Sequence, residues 1–393
     1  MNDSEEKIKE TVEKGLLDQI IEALTKPSEV RSAVTSHKKP GDVVFKGTFE
    51  EVNNFFYEKG WTDGLPIVPP TEEEVEKFLK YTDRSPDEEI AILPQANLRA
   101  TPRNIAVNAI MAGCSPKYMP LLIAAVEAIG EPDFQLMDLG TTACNIPWLL
   151  VNGPIIKQLG IQHGVGLASR GPNTVIGRGF QLIVRNIAGF RPGETYMGTW
   201  GYFPPFVFAE DEDACDEMGW NPYHVEHGFS RGISTVTART TMNWGPQLLG
   251  AKGTDAEPIL NQICEMQNRI TLSSRSLLFG PRSMATLLIA PPTASVIARG
   301  GYSKREVAEY VWKNTTIPRR KAVTLKGRYR LPKEFDEMGP DEMIPLFATA
   351  SPDVFDVVVC GDPWRDKAMN LWMIYNRPVT KEIKLPANWD KLQ

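Results

Sequence analysis

Long apolar runs and long basic tracts are both missing from this chain. No stretch approaches the ~20 apolar residues that a membrane-spanning helix needs, and the start of the chain lacks the basic-then-apolar pattern of a secretory signal. Asp and Glu outnumber Lys and Arg by 49 to 43, and the longest basic cluster is Arg319-Arg320-Lys321. Since a phosphate backbone is held mainly by Lys and Arg, we expect a soluble, cytoplasmic protein with neither a membrane nor a nucleic acid as its partner.

Cysteine pairs and nucleotide-binding motifs are also absent. The five cysteines stand singly, without a CxxC pair or zinc-ligand spacing, and in a cytoplasmic setting we expect them to be thiols. Neither GxGxxG nor GxxxxGK[ST] occurs, and neither does HExxH. These absences argue against disulfide scaffolds, zinc fingers, P-loop or dinucleotide sites and zincins, and they leave the cofactor undetermined.

The chain is long enough to bury a sizeable core. It has 393 residues, of which 42% are apolar and 23% charged, and this fits one large or two medium domains. Runs of Val and Ile separated by capped helices predict an α/β or α+β fold with a mixed sheet. We expect a helical extension and linker over residues 1–46, an α/β core domain over 47–250 and a C-terminal α/β portion over 251–393, the last two closely packed.

Helix caps and apolar runs predict the main elements. Capping boxes at Thr48, Thr71 and Ser303 predict helix starts, and Asn173 is expected to cap a further helix. Residues 101–130 predict two helices that meet in a tight corner at Gly113. Other predicted segments are helices over 8–24 and 256–273, a linker around 36–41, strands over 148–151, 285–290 and 356–359, and an irregular, site-building region over 190–250.

Cys114 is the foremost candidate for a reactive side chain. It stands directly before Ser115 and Pro116, which are expected to start the second helix of the corner. The positive end of a helix dipole and the free amides there lower the pKa of a thiol and favour the reactive thiolate. The alternative interpretation is a small buried residue that fills the corner.

Other polar residues are candidates for a site around this thiol. Arg178 and the Gly-rich approach to Asn173 offer a guanidinium group and free amides, which favour a carboxylate or phosphate. Asp63 lies in a loop between two capped helices, where it is either a turn residue or a catalytic acid. The remaining candidates for substrate binding are Trp61, Thr141, Cys144 and Asn152.

Two histidines suggest alternative chemistry. His224 and His227 stand three residues apart, shortly after an acidic run that begins with Glu210. Three-apart histidines share one helix face, so these three residues are candidates for a metal site. His224 alone is a candidate general acid or base.

Six short phrases of the sequence are distinctive as a set. They lie at 60–66, 69–71, 107–114, 151–154, 176–178 and 301–304, within residues 45–365. Together they resemble a largely uncharacterised bacterial family that is usually found beside the UGSC family of cysteine or selenocysteine proteins. The resemblance implies a cytoplasmic bacterial protein that is one partner of a multi-subunit enzyme, whose other chain carries a redox-type Cys or selenocysteine motif. One departure is Gly179, where the family has alanine.

Three hypotheses follow for the function. In the first, an enzyme acts on a small anionic organic substrate with Cys114 as a nucleophilic or redox thiolate, Arg178 and Asn173 orient the substrate, and His224 or Asp63 moves the proton. In the second, Glu210, His224 and His227 hold a metal ion in a lyase or hydratase. In the third, the chain is a non-catalytic subunit that binds a Cys or selenocysteine partner. We also expect a homo-oligomer.

Overall fold

The computed structural model describes residues 7, 9, 12–25, 41–142, 144–199, 201, 206–243, 245, 255–270, 283–325, 331–347, 350–374 and 376–392. Contacts divide the chain into two compact units, Met1–Lys46 and Gly47–Gln393. Most of the predicted linker around 36–41 and the end of the helix predicted over 256–273 lie outside the described residues.

In the first unit, a wide helical turn, Val12–Leu16, precedes α1, Leu17–Thr25. The other described α-helices all belong to the second unit and are α2 Phe49–Glu58, α3 Glu72–Leu79, α4 Pro102–Ala112, α5 Met119–Gly130, α6 Ile155–Leu159, α7 Pro172–Asn186, α8 Glu212–Glu217, α9 Tyr223–Glu226, α10 Ala256–Ile270, α11 Pro291–Arg299, α12 Lys304–Asn314, α13 Arg319–Leu325 and α14 Trp389–Leu392. Short 3-10 helices are Pro116–Tyr118, Pro132–Phe134, Leu136–Gly140, Leu167–Ser169, Lys333–Phe335 and Pro352–Val354. None of the described helices is long and apolar enough to cross a membrane.

The described strands are β1 Ala91–Leu93, β2 Leu98–Ala100, β3 Ile146–Asn152, β4 Val207–Ala209, β5 Thr235–Thr241, β6 Ser283–Ile289, β7 Thr316–Pro318, β8 Met343–Pro345, β9 Phe355–Val359, β10 Ala368–Ile374 and β11 Val379–Glu382. A four-stranded sheet has the order β11-β5-β3-β4 and a three-stranded sheet the order β10-β6-β9. In each sheet one pair is parallel, β3 with β4 and β6 with β9, and the other pairs are antiparallel. The predicted mixed α/β or α+β class is thereby confirmed.

The two larger sheets face each other between two layers of helices. Along β3, Leu149 and Val151 pack into a core formed with α4, α5 and α7. The alternate residues Trp148 and Leu150 instead pack against side chains of β6, β9 and β10. The far face of the three-stranded sheet packs against α10, α11 and α12. Because side chains alternate between the faces of a strand, every second residue of β3 and β5 lies between the two sheets.

Capping residues explain where several helices begin. Thr48, Thr101 and Ser303 each accept a hydrogen bond from the third amide of the helix, and the side chain at that position bonds back to the cap amide. Thr71 makes only the first of these bonds. The predicted cap at Asn173 is wrong: Gly171 is the cap of α7, and Asn173 lies inside the first turn.

The largest difference from the sequence expectation concerns residues 190–250. This region contains β4, α8, α9 and β5. All seven residues of β5 are buried although five of them are Thr or Arg, so the apolar alternation that identifies a strand is missing. Thr is nevertheless a β-branched residue that favours strands, and four threonines in seven residues were the available signal.

Candidate acid–base site at the carboxyl ends of the strands

The carboxyl ends of β3, β4 and β9 meet at one place. The Glu210 amide donates to the Val151 carbonyl (3.2 Å), and the Asp211 amide donates to the Val359 carbonyl (2.7 Å). These bonds join the end of the four-stranded sheet to the end of the three-stranded sheet and bring the acidic run 210–213 between them. Ligands of α/β proteins commonly bind beyond the carboxyl ends of strands.

Glu210 is the centre of a buried hydrogen-bond network. Its carboxylate accepts from Lys304 Nζ (2.7 Å), Asn152 Nδ2 (2.8 Å), the Tyr223 amide (2.5 Å) and the Val359 amide (3.2 Å). Lys304 is 2% exposed and Glu210 1%. Burial lowers the pKa of Lys304, but the charge and hydrogen bond of Glu210, together with the nearby Cys215 and Glu226, outweigh burial and hold that pKa above its usual value. The ammonium therefore stays charged inside the protein.

His224, on the short helix α9, lies beside this ion pair. Its side chain is fully buried, and its Nδ1 is 3.5 Å from Glu212 Oε1. The Glu212 oxygen is held in place by the Gly153 amide (2.7 Å) and by Asn152 Nδ2 (3.1 Å). An imidazole that faces a fixed carboxylate is an arrangement suited to general acid–base catalysis.

Several buried polar atoms in this cluster have no hydrogen-bond partner among the described residues. They are both ring nitrogens of His224, Asn152 Oδ1 and Thr235 Oγ1. Asn152 and Thr235 are directly opposite each other on β3 and β5, so their side chains share a face of the sheet. A buried polar atom without a partner costs about 1–3 kcal/mol, and such atoms concentrated at one place indicate a site that binds something polar.

A second group of titratable residues lies next to the cluster, around Tyr223 and Asp356. His227 stacks on Tyr223 with ring centroids 4.0 Å apart, and its Nε2 is 3.5 Å from Asp356 Oδ1. Partial burial lowers the pKa of His227, but the Asp356 carboxylate raises it above its usual value. Asp356 also accepts from the fully buried Arg239 at 2.6 Å. Burial and the nearby Glu210 and Asp356 carboxylates raise the pKa of Glu226 to about 6.

The shift of Glu226 predicts a pH-dependent stability. Because its folded-state pKa of about 6 lies above the usual value of 4.5, the folded state binds this proton more tightly, and its contribution to stability is present below pH 4.5 and lost as the pH rises through 6. Glu226→Gln is therefore expected to gain stability relative to wild type at pH 7.5 but not at pH 4. Urea unfolding at both values measures this, with the exposed Glu334→Gln as control; a gain that is equal at both pH values contradicts the shift.

The structure places Cys114 away from this cluster and does not support a thiolate there. Cys114 belongs to the core between α4, α5 and α7 and is 8% exposed, whereas Tyr223, the neighbour of His224, packs between the sheets. The Cys114 thiol donates to the Val175 carbonyl (3.2 Å). Burial raises the pKa of Cys114 to about 12, against a smaller lowering by Arg178. Burial thus outweighs the predicted effect of the helix start, and this start is a 3-10 turn in which Ser115 makes no side-chain cap bond.

The predicted anion-binding residue Arg178 is engaged in a structural ion pair. Arg178 donates two 2.9 Å hydrogen bonds to Asp63 and a third to the Pro66 carbonyl. Burial raises the pKa of Asp63, but the hydrogen bond and charge of Arg178 lower it below its usual value. Trp61 packs edge-to-face against Phe55 and Phe56. These residues fix the loop after α2 onto α7.

The remaining predicted residues lie in other places. Asn173 is fully buried and donates to the Gln162 and Val207 carbonyls (both 2.9 Å), so its role is to fix backbone. Thr141 and Cys144 precede β3, whereas Asn152 ends it, and a seven-residue strand separates its two ends by about 20 Å. Asn152, Glu210 and His224 are therefore the predicted residues that lie together at the acid–base cluster.

The three residues of the metal hypothesis are not assembled as ligands. Glu210 is bonded to Lys304, His224 faces Glu212, and His227 faces Asp356. In the described part of the chain, no three His, Cys, Asp or Glu side chains are arranged to hold a metal ion. Instead of the predicted shared metal site, these three residues each pair with a different side chain.

One sequence motif escaped the sequence analysis. Residues 228–232 match GxSxG, the pattern of a serine nucleophile on a strand-to-helix turn. Here the motif lies between α9 and β5, and Ser230 is exposed. The nearby His227 uses Nδ1 for the Tyr223 carbonyl (2.8 Å) and turns Nε2 to Asp356. Neither the turn type nor the histidine supports a serine nucleophile at this position.

Lys304, Glu212 and Thr235 were also missed, and only Lys304 carried a usable signal. It is the first residue of α12, where a cation opposes the helix dipole. A lysine directly after a strong cap therefore suggested a nearby carboxylate partner. The pairing of Thr235 with Asn152 depends on β5, which was not predicted.

Gly179 packs directly against the Cys114 side chain. A Cβ at this position would lie 2.9 Å from Cys114 Sγ. Gly to Ala inside a helix normally stabilises by about 1 kcal/mol, but we expect Gly179→Ala to destabilise by about 1–3 kcal/mol because it overpacks the core. The double variant with Cys114→Ala should recover most of this loss in urea unfolding; additive effects of the two changes would contradict the contact.

The burial of the cysteines predicts a labelling pattern. Cys144 is partly exposed, and Cys114, Cys215, Cys264 and Cys360 are buried. Iodoacetamide should label Cys144 in the native protein and all five thiols after unfolding in urea, since a buried thiol is both inaccessible and un-ionised. Peptide mapping by mass spectrometry identifies the sites. Rapid native labelling of Cys114 would restore the thiolate hypothesis.

No family model matches the chain, and a search of curated proteins finds no match either. The resemblance to the bacterial family, the Cys or selenocysteine partner, the homo-oligomer and the cytoplasmic location stay predictions.

Proposed function

We propose that the chain is an enzyme that transfers a proton to or from a small polar substrate at the carboxyl ends of β3 and β4. The observation that carries the proposal is the fully buried His224 imidazole, which has no hydrogen-bond partner at either nitrogen among the described residues and faces a fixed Glu212 carboxylate. A histidine kept only for packing normally bonds at least one ring nitrogen when buried.

The neighbouring groups suit this chemistry. Glu212 orients the ring through Nδ1 and stabilises the imidazolium that forms when Nε2 takes a proton. The 3.5 Å separation is longer than a hydrogen bond, and catalytic contacts of this kind often shorten when substrate binds. Lys304 neutralises the charge of Glu210 in the same cluster. Glu212, less buried than His224, lies toward solvent and marks the side of access.

Deuterium incorporation tests the proposal without knowledge of the product. The purified full chain is incubated in D₂O with a panel of small hydroxyketones, 2-oxo acids and 2-hydroxy acids, and exchange of the hydrogen next to the carbonyl or hydroxyl group is followed by NMR. A proton abstracted by His224 is replaced by a deuteron from solvent. We expect exchange in at least one compound.

A Cys114→Ser variant separates this proposal from the thiolate hypothesis. Exchange that survives in Cys114→Ser supports the acid–base centre, since the thiol lies in the core on the other side of the sheet. Exchange that disappears in Cys114→Ser, while the variant remains folded by circular dichroism, assigns the chemistry to the thiol. Absence of exchange in the whole panel counts against the proposal.

A further inference from the structure

A row of side chains connects the acid–base cluster with the edge of the four-stranded sheet. Asn152 on β3 is paired with Thr235 on β5, and Thr235 is paired with Glu382 on β11. Residues directly opposite each other in antiparallel strands have their side chains on the same face, about 5 Å apart. Asn152, Thr235 and Glu382 therefore form one row across three strands.

A groove of about 550 Å³ lies at the Glu382 end of this row. Its volume is within the range of small-molecule sites, and its lining includes Phe229, Ile90 and Ile92. The Phe229 amide donates to the His224 carbonyl (3.0 Å). Glu382 and Phe229 thus line the groove and also contact residues of the acid–base cluster, Glu382 through its pairing with Thr235 and Phe229 through its bond to His224.

The side chains that line the groove offer no surplus of positive charge. Lys381 forms an ion pair with Glu131, and Glu127 forms one with Arg84, which lies outside the lining. The other charged lining residues are Glu382 and Lys384, one of each sign. Such a lining does not favour an anion, in contrast to the anionic substrate that the sequence suggested.

The unpartnered atoms distinguish between the polar groups that could bind in the row. Asn152 Oδ1 only accepts hydrogen bonds, the Thr235 hydroxyl donates and accepts, and a neutral imidazole has one nitrogen of each kind. A carboxylate has no donor for Asn152, and a carboxylate or a phosphate brings negative charge beside Glu210 and Glu212. An ammonium group has donors only. A hydroxyl group both donates and accepts and carries no charge.

We infer that the groove and the row bind a neutral small molecule with several hydroxyl groups, one of which lies between Asn152 Oδ1, Thr235 Oγ1 and the His224 ring. This inference rests on the proposed function and names the substrate class of the same site. The hydroxyl donates to Asn152 and accepts from Thr235, and the rest of the molecule lies along Glu382 against Phe229.

Ligand-observed NMR tests the inference with compounds of defined chemistry. Saturation transfer is measured on the full chain with xylitol and glucose as neutral polyols, ethanolamine as an amine, and lactate and inorganic phosphate as anions. We expect at least one polyol to bind and the anions not to compete with it. Thr235→Val should weaken polyol binding about fivefold to tenfold, the effect of losing one neutral hydrogen bond.

Thr240→Val is the matched control, because Thr240 is buried on the same strand but its side chain lies on the opposite face. Equal weakening in Thr235→Val and Thr240→Val overturns the inference, as does stronger binding of lactate or phosphate than of either polyol. Absence of polyol binding also overturns it. Polyol binding without deuterium exchange in any compound supports this binding site and rejects the enzyme proposal, so the two can fail separately.

Discussion

His224→Gln is expected to abolish most of the deuterium exchange that the wild-type chain catalyses. A positioned general base contributes about 10²- to 10⁴-fold to a rate, and an amide cannot take its place. Gln retains a polar, neutral side chain of similar length, so the burial of the site changes little. The ratio of exchange rates at saturating substrate, with folding checked by circular dichroism and urea unfolding, measures the effect.

His163→Gln is the control for this change. His163 also faces a carboxylate, with its Nδ1 3.2 Å from Asp211 Oδ2, but its side chain is 39% exposed. We expect its exchange rate to remain close to that of wild type. If His163→Gln and His224→Gln lose the same share of activity, the loss reflects a general effect at this end of the sheet, and His224 is not the base.

The sequence predicted the elements whose local signals agree with their tertiary role. The caps at Thr48 and Ser303 and the corner at Gly113 depend on hydrogen bonds between residues three or four apart, and such bonds can be predicted from the local sequence. The short apolar runs that form β3 and β9 were likewise recognisable, because a continuous apolar run of this length is typical of a buried strand. Local consistency of this kind is what allows prediction.

The site could not be predicted in the same way because its contacts are distant in the chain. Glu210 meets Lys304 across 94 positions and Asn152 across 58. These pairings depend on the approach of two sheets, which no local pattern specifies. Cys114 shows the converse error. The sequence correctly placed Cys114 before a helix. The dipole argument, however, takes account of that helix alone, whereas the pKa of the thiol is set by its burial where α7 packs against the corner.

The buried polar atoms without a described partner show why a reactive site is easier to locate in the structure than in the sequence. Asn152 was predicted only from a phrase, whereas the structure shows that its amide nitrogen fixes two carboxylates while its oxygen has no described partner. The amide nitrogen of Asn152 thus has a structural role, and its oxygen is available to bind a ligand. A polar group that is only partly satisfied in a buried network is destabilising, and sites of function are where such a cost is retained.

Lys304→Met is expected to destabilise the chain by about 3–5 kcal/mol, the typical loss when one partner of a buried ion pair is removed. The Glu210 carboxylate would remain 1% exposed without its counter-charge, and the methionine gains only the small favourable effect of removing a cation from a helix start. Urea unfolding at pH 7.5 measures the difference. Lys77→Met, which removes exposed pairs with Glu73 and Glu74, is the matched control and should cost little.

Two further measurements separate an uncompensated charge from a simple loss of packing. The double variant Lys304→Met with Glu210→Gln should be more stable than Lys304→Met alone, because the isolated charge is gone while the amide oxygen still accepts from the Tyr223 amide. The loss in Lys304→Met should also shrink toward pH 4, where a buried carboxyl without a counter-charge binds a proton and becomes neutral. A loss that is independent of pH and unchanged by Glu210→Gln would show that Lys304 stabilises the fold through the packing of its methylene chain and that the ion pair contributes nothing to the cluster.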